Sequence, residues 1–369
     1  MFCLPTELQD AVCDHLAPSH LAALSRSCSQ FYAVAQRHLY RHVHITPAFH
    51  NLSVVLTLAT KPHIARHVRS FSLSLASQSS VFQAYYRHLA SALSHMTELS
   101  FLHLFVDPSA SWVLQRSRAT HLLTFACSFP FDSHVSAFLA TAPGLLELEV
   151  GPSSSPSSHN DDGGAHHHQH HSPTSIDVSP SLIPHLEQFR GSSHIASSLV
   201  PNRPVHTVHL TSGDLTDQIV SRLAESSNRV SILGATISSL PAPLLQLLSE
   251  RLPDLMYLRI TTTYNFSDAP DVTFYRNVSN ALGALTQLQA FELSGMHWGS
   301  LKNNENEMRV WQSKPFNSEQ IHQHHHHLGF EEEGSEQQQQ LVLDDDSFDN
   351  NTVNNALDVD IYSELFVDY

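Results

Sequence analysis

Histidine is the residue type that most invites a chemical reading, with 29 copies in 369 residues. Two clusters hold many of them, one between His166 and His171 and one from His324 to His327. Imidazole is both a metal ligand and a proton carrier near neutral pH. A structural zinc site, however, needs four ligands placed by a fold, and a catalytic one needs three with a supporting shell. Both clusters sit in polar, low-complexity stretches, so compositional drift accounts for them and no metal or cofactor site is expected. The four cysteines, Cys3, Cys13, Cys28 and Cys127, contain no Cys-x-x-Cys pair. They read as small buried apolar residues in a reducing compartment. Cys127 has no visible basic neighbour to activate it as a nucleophile. The nucleophile elbow, P-loop, His-Glu-x-x-His pair and dinucleotide fingerprint are all absent, so no enzymatic activity is expected.

The remaining chemistry belongs to a surface. One spacing recurs along the chain: apolar, two residues, apolar, one residue, apolar. It occurs at Tyr40/Val43/Ile45, Val68/Phe71/Leu73, Leu99/Leu102/Leu104 and Leu122/Phe125/Cys127. It continues at Leu145/Leu148/Val150, Val205/Val208/Leu210, Leu255/Leu258/Ile260 and Leu288/Phe291/Leu293. Weaker copies with a small third residue are Leu186/Phe189/Gly191 and Val230/Leu233/Ala235. In a strand, alternate residues face opposite sides, so the residue between the last two apolar positions points away from the core. Those residues include Ser72, His103, Ala126, Glu149, Arg190, His209, Arg259 and Glu292. Of these, His103, Glu149, Arg190, His209, Arg259 and Glu292 are the candidates for contacting another protein, because they mix charge and imidazole on one face. An ordinary solvated sheet face is the competing reading.

The segments between copies carry helical spacing. Val81–Met96 places Phe82, Tyr85, Tyr86, Leu89 and Leu93 along one side, and 133–142, 214–224, 244–252 and 272–285 read similarly. Asp214 is the expected cap of its helix, while Pro143 and Pro253 stop two others. The copies start 23 to 33 residues apart in the cleaner intervals. This is the strand core of an irregular leucine-rich-repeat-like α/β solenoid, with the strand residues lining a concave face. A doubly wound α/β sheet also alternates strand and helix, and would shelter an enzyme cleft at its strand ends. Two features oppose that alternative: no glycine-rich loop follows an early strand, and the strand motif keeps one internal spacing.

Two stretches interrupt the ladder. Residues 151–181 are Ser, Pro, Gly, Asp and His with little to bury, and are expected to form a disordered insert. Residues 301–369 are expected to form a largely disordered acidic tail. The charge is correspondingly uneven: 305–369 holds 15 acidic and 2 basic side chains, against 20 and 17 in 1–304. A nearly neutral body argues against nucleic-acid binding, which needs a basic face. No run reaches membrane-spanning length, and no basic leader precedes an apolar core at the start. Residence in the cytosol, the nucleus or both is expected, with no basic cluster to choose between them.

At the front, apolar residues fall at Leu4, Leu8, Val12, Leu16, Leu21, Leu24, Cys28, Phe31, Val34 and Leu39, with steps of three and four. Thr6 with Gln9 reads as a capping box after Pro5. Pro18-Ser19 reads as a stop, with Ser19 capping a second helix from about His20 towards Arg37. So few helices cannot enclose a core alone, and their stripes need another surface. These residues resemble the F-box family, whose pattern is Leu-Pro-x-Glu-Leu, spaced aliphatics, a leucine pair, an aromatic and a closing Leu-Tyr. The chain has Leu4-Pro5, Glu7-Leu8, Val12, Leu16, Leu21, Leu24, Phe31 and Leu39-Tyr40 at those places. Phe31 stands where many members have tryptophan, and His20 where an acidic residue or Asn often precedes the leucine.

The whole layout resembles F-box proteins with leucine-rich repeats, particularly the divergent forms abundant in fungi. That resemblance implies three parts: a helical head at 1–46, a solenoid at 47–300 carrying the insert, and the tail. It implies a substrate receptor of a cullin-RING (SCF-type) ubiquitin ligase. The head would dock on a Skp-family adaptor, and through it on cullin, with Leu4, Pro5, Leu8, Val12, Leu16, Leu21, Leu24 and Phe31 serving the interface and the head's own packing. The solenoid would hold an unknown target protein. The alternative is a leucine-rich-repeat interaction scaffold with no ligase role.

Overall fold

The computed structural model describes residues 4–27, 29–46, 51–75, 82–152, 179, 181–263, 272–301 and 310–314. Most of the insert, both histidine clusters and nearly all of the acidic tail therefore lie outside the described residues.

Three helices open the chain: α1 (Thr6–Asp14), α2 (Pro18–Ser27) and α3 (Ser29–Leu39). Two of the expected punctuation marks work differently. No side chain caps α1; Gln9 instead reaches back to donate to the Leu4 carbonyl at 2.7 Å. Pro18 opens α2 rather than ending α1, which suits a residue with fixed φ and no N–H to lose at a first turn. The long second helix expected from His20 is two helices, α2 and α3.

A twelve-stranded open sheet follows, with strand order equal to chain order among the described residues. Its strands are β1 (His42–Ile45), β2 (Ser70–Ser74), β3 (Phe101–Phe105) and β4 (Thr124–Cys127). They continue with β5 (Glu147–Glu149), β6 (Gln188–Ser192), β7 (Thr207–Asp214) and β8 (Ile232–Ile237). The last four are β9 (Tyr257–Thr262), β10 (Ala290–Leu293), β11 (Met296–Leu301) and β12 (Val310–Lys314). Pairing is parallel from β1 to β10 and antiparallel from β10 through β12. A doubly wound sheet reverses its strand order at a switch point where ligands bind. This sheet has no reversal. It also runs on past residue 300, through β12.

The recurring motif explains the packing. Its first residues, Val68, Leu99, Leu122, Leu145, Leu186, Val205, Val230, Leu255 and Leu288, are all buried, as are the second and third residues of each copy from β2 to β10. They form one continuous core with the intervening helices. These are α4 (Ser53–Thr60), α5 (Pro62–Ala65), α6 (Gln83–His95), α7 (Ser133–Leu139), α8 (Ser193–Leu199), α9 (Asp217–Leu223), α10 (Pro241–Arg251) and α11 (Val272–Ala284), with a 3-10 segment at Pro108–Leu114. The small third residue at Gly191 has a steric cause: a Cβ there would meet Phe189 Cζ at 2.8 Å and Val150 Cγ2 at 2.9 Å. Asp132 and Ser192 cap α7 and α8 by accepting from Val135 N and Ile195 N. Asp214 does not cap α9. Thr216 does so, and Asp214 ends β7 and accepts from the Ser238 hydroxyl. On α6 the expected apolar side holds at Tyr86, Leu89 and Leu93, but Phe82 precedes the helix and is 85% exposed.

One buried charge staples the middle of the sheet. Arg203 is 2% exposed, and its guanidinium donates to the carbonyls of Leu182 (2.9 Å), Leu199 (2.6 Å), Pro201 (3.3 Å) and Ser179 (3.1 Å). A planar fork can satisfy several carbonyls that a buried loop would otherwise leave unpaired.

Candidate functional site

The head divides its apolar residues into two sets. Cys13, Leu21, Val34 and Ala35 form a small core of their own, separate from the core of the sheet, with Leu16, Leu24, Phe31 and Leu39 packed around it. Leu4, Leu8 and Val12 are left out of it, at 46%, 53% and 48% exposure, and Pro5 is exposed as well. Leu8 and Val12, four apart, form an exposed apolar stripe on one side of α1, and Leu4, just ahead of the helix, is exposed as well. Of the eight residues expected to serve both packing and interface, Leu21 is buried, Leu16, Leu24 and Phe31 are half-buried, and only Leu4, Pro5, Leu8 and Val12 face outward. Tyr32 on α3 is 45% exposed too, and the sequence reading missed it because its neighbour Phe31 occupies the motif's aromatic position.

The opposite side of α1 is polar and tied down. Asp10 accepts from the Arg37 guanidinium and lies 2.7 Å from His38 Nε2, both on α3. Burial raises the Asp10 carboxyl, but the hydrogen bonds and charges of Arg37 and His38 outweigh it and hold the carboxyl below its ordinary value. The tie fixes which side of α1 turns outward.

On the sheet, the residues picked out by the strand motif fall in one lateral row. The register pairs His44 with Ser72, Ser72 with His103, His103 with Ala126 and Ala126 with Glu149. It then pairs Glu149 with Arg190, Arg190 with His209, His209 with Gly234, Gly234 with Arg259 and Arg259 with Glu292. Gly234, the row's member on β8, was absent from the sequence reading, although the weaker copy Val230/Leu233/Ala235 already marked its place. Ion pairs stand on either side of the centre: Arg190 Nε lies 3.6 Å from Glu149 Oε1, and Arg259 Nε lies 3.2 Å from Glu292 Oε1. Between them His209 has its pKa pushed down to about 4, first by burial and then by Arg190 and Arg259. Further along, the His103 ring lies between Phe101, tilted against it with centroids 4.0 Å apart, and Phe105, edge-on at 5.9 Å. Burial lowers its pKa as well.

Cys127, the one described cysteine on the sheet, is buried, and burial pushes its thiol up to about 12. Burial therefore favours its neutral, packed form at neutral pH. Among the described residues no group of three His, Cys, Asp or Glu is placed to hold a metal ion. No helix among them is long and apolar enough to cross a membrane.

The arrangement therefore presents two surface features: exposed apolar residues on the head and a charged, aromatic row on the sheet. No curated protein matches the chain. Residues 1–46, the stretch that builds the head and its exposed stripe, match the family described as F-box-like.

Proposed function

We propose that this protein is the substrate-recognition subunit of an SCF-type (cullin-RING) ubiquitin ligase. The F-box-like head docks on a Skp-family adaptor, and the α/β body, a divergent leucine-rich-repeat-like solenoid, holds the target. The observation that carries this reading is the exposure of Leu4, Leu8 and Val12 on a head whose small core of Cys13, Leu21, Val34 and Ala35 does not include them. A solvent-exposed apolar stripe on a helix marks a contact surface. The F-box-like match over the same residues supports a Skp-family adaptor as the partner.

The sequential parallel sheet supports the solenoid part of the reading, since stacked repeats pair each strand with the next. The row through His103, Glu149, Arg190, His209, Arg259 and Glu292 is the proposed target-binding face. The protein itself performs no bond chemistry. It raises the local concentration of target near the ubiquitin-loaded enzyme. Affinity purification with mass spectrometry, with and without proteasome inhibition, tests the reading. Adaptor and cullin should co-purify in both conditions, with additional proteins enriched under inhibition. Purification of other partners without adaptor or cullin would favour a scaffold with no ligase role.

A further inference from the structure

Between the head and the start of the sheet lies a cleft of about 470 Å³, within the size range of small-ligand sites. Arg41, Arg66, His67 and Arg69 line one wall; Asp10 and Arg37 line the head side and neutralise each other. Arg41 and Arg69 are lateral neighbours, because each precedes a strand whose first residues, His42 and Ser70, pair in parallel register. The backbone there is fixed: the N–H groups of Arg69 and Ser70 both donate to the Arg41 carbonyl, at 2.9 and 3.0 Å. Like charges side by side on adjacent strands repel. None of Arg41, Arg66 and Arg69 has a carboxylate within ion-pair distance among the described residues. Arg41 Nε is enclosed and has no hydrogen-bond partner. An enclosed guanidinium N–H without an acceptor leaves a desolvation cost that an anion would remove.

We infer that this cleft binds a small phosphate-class anion, held by Arg41, Arg66 and Arg69. Asp14 and Glu98 also line the cleft, so the local excess is a single positive charge and a compact anion fits better than a highly charged one. His67 reports the same field: burial lowers its pKa first, followed by Arg66, Arg37 and His63. The cleft lies on the Asp10 side of α1, opposite the apolar stripe, so it stays open when that stripe is covered. A bound anion would hold the approaches to β1 and β2 and the end of α5 together.

Inorganic phosphate is the probe, titrated into the full chain by calorimetry and followed by thermal unfolding at constant ionic strength. Saturable binding is expected, with a rise in Tm of several degrees over matched chloride. Both should be lost in the double variant Arg66→Gln/Arg69→Gln, whose changes fall on exposed side chains, and kept in Arg229→Gln, which alters a surface arginine elsewhere. Absence of saturable binding, or equal binding by the double variant, would overturn the inference. So would a phosphoserine peptide binding at least tenfold more tightly than inorganic phosphate, since the occupant would then be a protein segment. Adaptor binding is read separately and is independent of every outcome here.

Discussion

The imidazole of His209 lies over Gly234 on the neighbouring strand, where a Cβ would stand 2.7 Å from His209 Nδ1. The glycine is what gives the ring its place at the centre of the charged row. Arg190 and Arg259 flank it, each leaning on a glutamate.

Gly234→Ala should therefore displace the ring. The contact is with the end of a side chain, so the stability loss should stay within the range of mild overpacking, about 1–2 kcal/mol. The His209 pKa should climb from about 4 towards its ordinary 6.5, read from the imidazole resonances in an NMR titration. An unchanged titration would show that the glycine does not set the ring's position.

His209 also predicts a pH dependence. Its folded pKa is depressed, so between about 4 and 6.5 the unfolded chain binds the proton more readily than the folded one. Stability should then fall as pH drops through that window. In urea denaturation at pH 7 and 4.5, His209→Gln should lose less stability on acidification than the parent. The difference is on the order of 2 kcal/mol, at most about 3.

Arg203→Met should be among the most destabilising single changes. It leaves the carbonyls of Leu182, Leu199, Pro201 and Ser179 without their shared donor. A loss of about 2–4 kcal/mol is expected from chemical denaturation, and lysine should rescue little because it lacks the fork. A loss below about 1 kcal/mol would mean that water replaces the guanidinium.

If the row on the sheet holds the target, Arg190→Glu/Arg259→Glu should strip target proteins from the affinity purification while adaptor and cullin remain. Reversing two partly buried charges across from Glu149 and Glu292 also creates like-charge pairs, so circular dichroism must confirm the fold. Retention of every target would place recognition elsewhere.

Much of the sheet was legible because its signal is local. A strand that buries alternate residues writes its pattern within six positions, and each copy repeated it. The row on the outer face followed from the same alternation. What escaped depends on distant partners. Arg203 acts on carbonyls up to 24 residues away, which no short pattern records. Helix starts were misassigned at Asp214 and Pro18 because several capping-type residues lie close together, and the backbone geometry chooses among them. The head's apolar list could not be divided from sequence, since a helical period marks a stripe without saying what covers it. The arginine cleft is assembled from α1, α3 and the approaches to β1 and β2, so it had no contiguous signature.

The most direct test of the central claim is the affinity of the purified chain for a Skp-family adaptor, with and without Leu8→Glu/Val12→Glu. Both residues are about half exposed and lie outside the head's core, so the variant should keep its fold, as judged by circular dichroism. Each buried aliphatic side chain contributes about 1.5–3 kcal/mol, so losing two should weaken binding at least 100-fold. An adaptor that binds the folded variant as tightly as the parent would contradict the proposed role.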